Sequence, residues 1–161
     1  MKQDRFLLGI LIFIGVLVIV AVALFFVRNQ APTYGPETTP QGVLYNYAVA
    51  LQLNDYARAY GYLAVKDNQP TYDTFRHAFI TRQLDTSTSA LQIGDLQTLE
   101  NGEAWVNVTV QYAGSGVFNS GYSNTDKGTL IQQNGVWKIT YLPNPYWGWD
   151  WYQPTPTPVK Q

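Results

Sequence analysis

The chain has no cysteine and one histidine among its 161 residues. Without cysteine there is no disulfide, no thiolate zinc site, no thiol nucleophile and no lipid-bearing N-terminal cysteine. A single histidine, His77, rules out a two-histidine metal site. Charge is also scarce: Asp, Glu, Lys and Arg make up 13% of the chain against an average of about 25%. The net charge of −1 leaves no basic face to neutralise a run of phosphates, which argues against nucleic acid as a partner. No cofactor motif is present. What the chain does have is apolar and aromatic material: 46% hydrophobic and 15% aromatic residues, with 12 Tyr and 5 Trp.

Much of the apolar content lies in one run. Phe6 to Val27 carries no charge over 22 residues. At about 1.5 Å rise per residue it would span roughly 33 Å, enough for a hydrocarbon core of about 30 Å. That is too long for the core of a cleaved signal, and the small-x-small Ala21-Val22-Ala23 is followed directly by Leu24 to Val27. The run predicts a single transmembrane helix over residues 6–27. Lys2 and Arg5 precede it and Arg28 follows, so the excess of positive charge puts residues 1–5 in the cytoplasm and the rest outside. Gly9 and Gly15 are not spaced as a helix-dimer motif.

Residues 28–40 carry Pro32, Pro36 and Pro40 and predict an extended spacer. Residues 153–161, in which Pro and Thr alternate from Pro154 to Pro158, predict a solvated, polyproline-like tail. The domain between them, residues 41–152, starts with helical patterning. Leu44, Tyr47, Ala48 and Leu51 form one stripe in a helix over 41–53, broken by Asn54-Asp55. Asp55 can cap a short second helix with Tyr56, Ala59, Tyr60 and Leu63 on one face. Thr71 can cap a third, to about Leu84, with Tyr72, Phe75 and Phe79 inward.

From Thr88 the period changes to two. Leu91 and Ile93 alternate, and Gly94-Asp95 shifts the register as a bulge would. Asn101-Gly102 and Asn134-Gly135 are hairpin turns. Between them, Ala104, Val106, Val108, Val110 and Tyr112 share one face of a strand, and Trp105, Asn107, Thr109 and Gln111 the other. Residues 114–124 read as a Gly/Ser/Asn-rich loop, 126–133 as a third strand and 136–142 as a fourth. Helices followed by a one-sided antiparallel meander define an α+β class with the helices on one face of the sheet.

Three pieces of sequence carry a resemblance: TPQGVLYNYAVALQLNDYARAYGYL, NGEAWVNVTVQY and NGVWKITYL. Over residues 40–141 the chain resembles the nuclear transport factor 2-like superfamily, most closely its small, membrane-tethered bacterial members. The resemblance implies three helices on a curved sheet of about four strands, forming a cone with an internal pocket. It implies no one activity, because the superfamily holds enzymes, ligand carriers and assembly modules alike.

If the cone holds an open pocket, Tyr47, Tyr60, Phe75, His77 and Asp126 are its candidate lining. The apolar face of the central strand carries no carboxylate, so it departs from the acid-base enzymes of the superfamily. No catalytic residue is assigned. Asp55, Asp67, Asp73, Glu100 and Glu103 sit where caps, first turns and hairpin ends account for them, and Asp95 and Asp126 are the least explained. The oxygen-rich segment 119–126 has one carboxylate and matches no calcium loop.

The second candidate is Pro143-Asn-Pro-Tyr-Trp-Gly-Trp-Asp-Trp-Tyr152. In an extended chain Trp147, Trp149 and Trp151 would face one way, and with Tyr146 and Tyr152 they would form an aromatic binding face. The alternatives are packing against the domain itself and insertion at a membrane interface. Together the sequence predicts a non-enzymatic, membrane-anchored extracytoplasmic module that binds a cell-envelope protein, a glycan or a small ligand. A cone-pocket enzyme or carrier, and a homodimer built through the sheet, are the other readings.

Overall fold

The computed structural model describes residues 3–28, 32–114 and 121–153. The stub's first two residues, most of the 114–124 loop and all but the first residue of the Pro/Thr tail lie outside them. The chain divides into two compact units, residues 1–33 and 34–161.

The first unit is helix α1, Gln3–Arg28. Its Leu, Ile, Val and Phe side chains are exposed all round between Phe6 and Phe25. A helix without a polar face has no seam to present to water. Among the described residues it is the one helix long and apolar enough to cross a membrane.

Among its described residues the second unit has three helices and a four-stranded antiparallel sheet, so the class is α+β. Helix α2, Pro40–Gln52, starts where expected, with Pro40 in its first turn and the Thr39 hydroxyl accepting the Gly42 N–H at 3.1 Å. It ends at Asn54, whose φ of 58° is left-handed, a conformation Asn tolerates. Asp55 caps α3, Tyr56–Gly61, by accepting the Arg58 N–H. Thr71 caps α4, Tyr72–Ile80. That helix stops one turn short of the expected Leu84. Arg82 turns left-handed at φ 58° and the Leu84 N–H returns to the Ala78 carbonyl, which folds Leu84 back under the helix. Tyr72, expected inward, is 38% exposed and packs edge-on against Tyr60.

The sheet is a meander in the order β1-β2-β3-β4. Its strands are β1 (Ser89–Thr98), β2 (Glu103–Tyr112), β3 (Tyr122–Gln133) and β4 (Val136–Tyr141). The expected bulge is there: the β1–β2 register shifts between Ile93 and Leu96. Both Asn-Gly turns place their glycine at positive φ, 81° at Gly102 and 78° at Gly135. Strand β3 begins four residues before the expected Asp126. Tyr122 stacks on Tyr112 at 4.4 Å, and the hydroxyls of Thr109 and Thr125 pair at 2.9 Å, so the hairpin zips further than the loop composition suggested.

One face of the sheet is core. Ala104, Val106, Val108 and Val110 of β2, with Leu130 and Ile139, are at most 1% exposed and pack under Val43, Leu44, Tyr47, Ala50 and Leu51 of α2. Each Val, Leu or Ile among them contributes about 1.5–3 kcal/mol of transfer free energy. The free edge of β4 is covered by the chain leaving α3: the Ala64 N–H bonds to the Ile139 carbonyl and the Ile139 N–H to the Tyr62 carbonyl. An unpaired edge would be open to other chains.

The spacer predicted to run to residue 40 ends earlier, because residues 34–37 are strapped onto the helices. Buried Asn46 accepts the Gly35 N–H at 2.7 Å and donates to its carbonyl at 2.9 Å, copying a backbone pairing. Glu37 pairs with Arg58 at 2.8 Å and accepts the Tyr62 hydroxyl at 2.7 Å. The Arg58 guanidinium also lies over the Tyr34 ring, 3.5 Å from its centroid. Hydrogen bonds from Tyr62 and then Arg58 hold the Glu37 carboxyl below its ordinary pKa.

Candidate functional site

The aromatic segment after β4 is not extended. It turns repeatedly: the Tyr146 N–H bonds to the Pro143 carbonyl, and the Trp151 N–H to the Gly148 carbonyl. Three tyrosine hydroxyls, two from the rest of the domain and one from the segment's own end, hold it. Tyr47 donates to the Tyr146 carbonyl at 2.7 Å, Tyr112 to the Asn144 carbonyl at 2.7 Å, and Tyr152 to the Ala64 carbonyl. The Tyr152 N–H reaches the Asn68 carbonyl. Among the described residues every fully buried side-chain N or O has a partner, so the segment closes the end of the domain without stranding polar atoms.

This corrects the expected aromatic face of Tyr146, Trp147, Trp149, Trp151 and Tyr152. Tyr146, Trp147 and Trp151 are buried and Tyr152 is half-buried. Trp151 lies 5.2 Å from Phe75 and 5.1 Å from Trp147, and Trp147 stacks on Tyr152 at 5.6 Å. Gly148 permits this because a Cβ there would stand 2.4 Å from the Trp151 indole nitrogen. Trp149 goes the other way and is 89% exposed. The turn at Gly148 breaks the period-two alternation that would have put the three indoles on one side.

The five pocket candidates do not form one site. Tyr47 and Phe75 are at 0% exposure in the core, with their rings 6.4 Å apart. Tyr60 packs edge-on against Phe75 and donates to the Pro70 carbonyl at 2.9 Å. Burial pushes the Tyr47 hydroxyl well above its ordinary pKa and raises Tyr146 and Tyr152 too, so all three are fixed donors rather than acids at neutral pH. Asp126 is half-buried opposite Val108 on β3, where it takes the Tyr141 hydroxyl and the Lys127 N–H. His77 is exposed on α4. Asn46, the one fully buried non-aromatic polar side chain among the described residues, is committed to the strap.

His77 and Trp149 do share a site, a groove of about 710 Å³ between α4 and the C-terminal segment. Ala78, Leu84 and Trp151 form its apolar floor. Asp73, Thr74 and His77 line one wall, at helical spacings that put them on one side of α4. Asn144 and the Gly148–Asp150 stretch line the other, and Gln83 completes the lining. Among the described residues no Lys or Arg lines it. The side chains of Asp73, His77, Gln83, Asn144 and Asp150 make no hydrogen bond or ion pair with another described residue. Sequence reading named His77 and Trp149 but assigned them to different sites. The signal that joins them is the turn at Gly148, which aims the chain back across α4.

The outer face of the sheet is a different surface. Thr109 pairs with Thr125, Thr129 with Thr140, and Gln111 with Gln92, while Lys127 covers the Trp105 ring at 4.1 Å. It is a hydroxyl and amide ladder with its indole already occupied.

No protein-family model matches the chain, and no curated protein matches it. Thirteen chains of solved structures are similar, two of them as follows. One is a SEC-C motif containing protein from Rhodopseudomonas palustris, 12% identical, covering 72% of this chain and 82% of that one, with a TM-score of 0.44. The other is Aln2 from a Streptomyces species, 8% identical, covering 68% of this chain and 89% of that one, with a TM-score of 0.45. At these values neither likeness bears on function.

Proposed function

We propose that this protein is a membrane-tethered, extracytoplasmic binding module built on a nuclear transport factor 2-like cone. Its ligand sits in the groove between α4 and the C-terminal aromatic segment, and it performs no chemistry on that ligand. The tether is α1, a helix apolar on every side. The sidedness follows Lys2 and Arg5 before the helix against Arg28 after it. The order of three helices followed by a four-stranded meander, with α2 packed on the sheet, supports the cone.

The observation that carries the reading is Trp149, an indole 89% exposed beside a groove whose polar side chains have unspent hydrogen-bonding capacity. Concave sites with a few convergent polar groups and aromatic walls are where small ligands bind, and about 300–1,000 Å³ is their usual size. Among the described residues, the core side of the sheet carries one carboxylate, Asp126, half-buried opposite Val108 and engaged by the Tyr141 hydroxyl and the Lys127 N–H, with no histidine beside it to form an acid-base pair.

The test uses the full chain in lipid nanodiscs and takes the difference in tryptophan emission between wild type and Trp149→Phe. Saccharides, ammonium compounds, short peptides and free lipids are added in turn. A saturable change confined to the Trp149 component supports the reading. Indifference to all four classes overturns it.

A further inference from the structure

We infer that the groove takes an uncharged glycan chain, one ring of which stacks on Trp149. This rests on the groove being the binding site and adds the chemical class of the ligand. The lining excludes more than it admits. Asp73 and Asp150 bring two carboxylates and, among the described residues, no Lys or Arg lining the groove answers them, so phosphates, sulfates and uronates meet a repulsive field. An all-apolar ligand is ill-matched too, since it would strip water from Asp73, His77, Gln83, Asn144 and Asp150 and give nothing in return.

A sugar ring fits both halves of the site. Its C–H face is apolar and flat enough to lie on an indole, and its rim carries hydroxyls that both donate and accept. Carboxylates accept from hydroxyls, and the amides of Gln83 and Asn144 do both. Trp149 offers a rigid platform at low entropic cost, with only two side-chain torsions to fix. Its 89% exposure leaves the indole face free to be covered by a ligand. The groove, at about 710 Å³, is large for one ring, which suits a chain rather than a monosaccharide. A quaternary ammonium would use Trp149 and the two carboxylates but leave the amides idle, and a protonated amine, a donor only, would use the amide oxygens but not their N–H groups.

The experiment titrates neutral hexasaccharides (cellohexaose, maltohexaose and chitohexaose) into the full chain in zwitterionic nanodiscs, reading Trp149 emission and saturation-transfer NMR. At least one should bind saturably, weaken tenfold or more in Trp149→Ala, weaken several-fold in Asp150→Asn, and hold its affinity between low and high salt. Both substitutions are at exposed positions, and circular dichroism confirms that each variant is folded. If tetramethylammonium or lysine peptides perturb Trp149 and no hexasaccharide does, the glycan assignment falls while the binding reading stands. A hexasaccharide that binds equally well to Trp149→Ala places its site elsewhere and also overturns the assignment. If neither class of probe nor the lipid alters Trp149, both readings fall.

Discussion

Trp149 and Trp151 are two residues apart and chemically identical, and their replacement by alanine should have opposite consequences. Trp151 is 5% exposed and packs against Phe75, Phe79 and Trp147 with centroid distances of 5.2, 6.3 and 5.1 Å. Truncating a buried aromatic of that size costs about 3–5 kcal/mol, part transfer and part cavity. The void would also open the groove floor, since Trp151 lines it. Trp149 has no such neighbours at 89% exposure, so its truncation should fall within about 0.5 kcal/mol of neutral. In melting temperature, at about 4 °C per kcal/mol for a domain of this size, Trp151→Ala should lower the transition by about 12–20 °C. Trp149→Ala should leave it within a few degrees. Near-ultraviolet circular dichroism of the full chain in micelles reads the domain transition, because the Tyr and Trp residues all lie outside α1. Equal, small losses in both variants would refute the division of the segment into a buried half and a free indole.

Two further outcomes follow from the strap and the tyrosines. A Cβ on Gly42 would lie 2.1 Å from the Pro36 carbonyl oxygen, so Gly42→Ala should lift residues 34–37 and break the Gly35–Asn46 pair, costing about 2–3 kcal/mol for two hydrogen bonds with a buried partner. Hydrogen exchange should then show the Gly35 amide unprotected while β2 amides hold, and a still-protected Gly35 would contradict the strap. Tyr47, Tyr146 and Tyr152 have folded pKa values raised by burial, and an unfolded tyrosine ionises near pH 10. Their contribution is therefore complete below about pH 10 and lost as pH rises through the folded values. Tyrosinate absorbance should show a late phase that coincides with loss of structure, and a single wave near pH 10 with the fold intact would count against it.

Much of the fold was legible because its signals are local. Thr39, Asp55 and Thr71 are caps by chemistry, the two Asn-Gly pairs are turns by conformation, and the alternation from Ala104 to Val110 is a half-buried strand. What was not legible depends on contacts far apart in sequence. Asn46 reads as a polar residue in a helix until the Gly35 peptide is found lying across it. The edge pairing of Leu63 with Ile139 has no local pattern. Trp147, Trp149 and Trp151 look equivalent in the sequence. The turn at Gly148 separates them, and the Tyr47 and Tyr112 hydroxyls, reaching carbonyls 99 and 32 residues away, hold the segment against the domain. The groove itself is made where that segment meets α4, so its lining could not be assembled from either stretch alone.

The central claim is that α1 crosses the membrane and displays the domain, with its groove, outside the cell. The absence of native cysteine allows a clean test: full-length chains carrying either Lys2→Cys or Gln97→Cys are expressed, and intact cells are treated with a membrane-impermeant maleimide. Gln97 is an exposed residue of β1. The account predicts labelling at position 97 without permeabilisation and at position 2 only after it. Labelling at position 2 in intact cells, with position 97 protected until the membrane is opened, would contradict it.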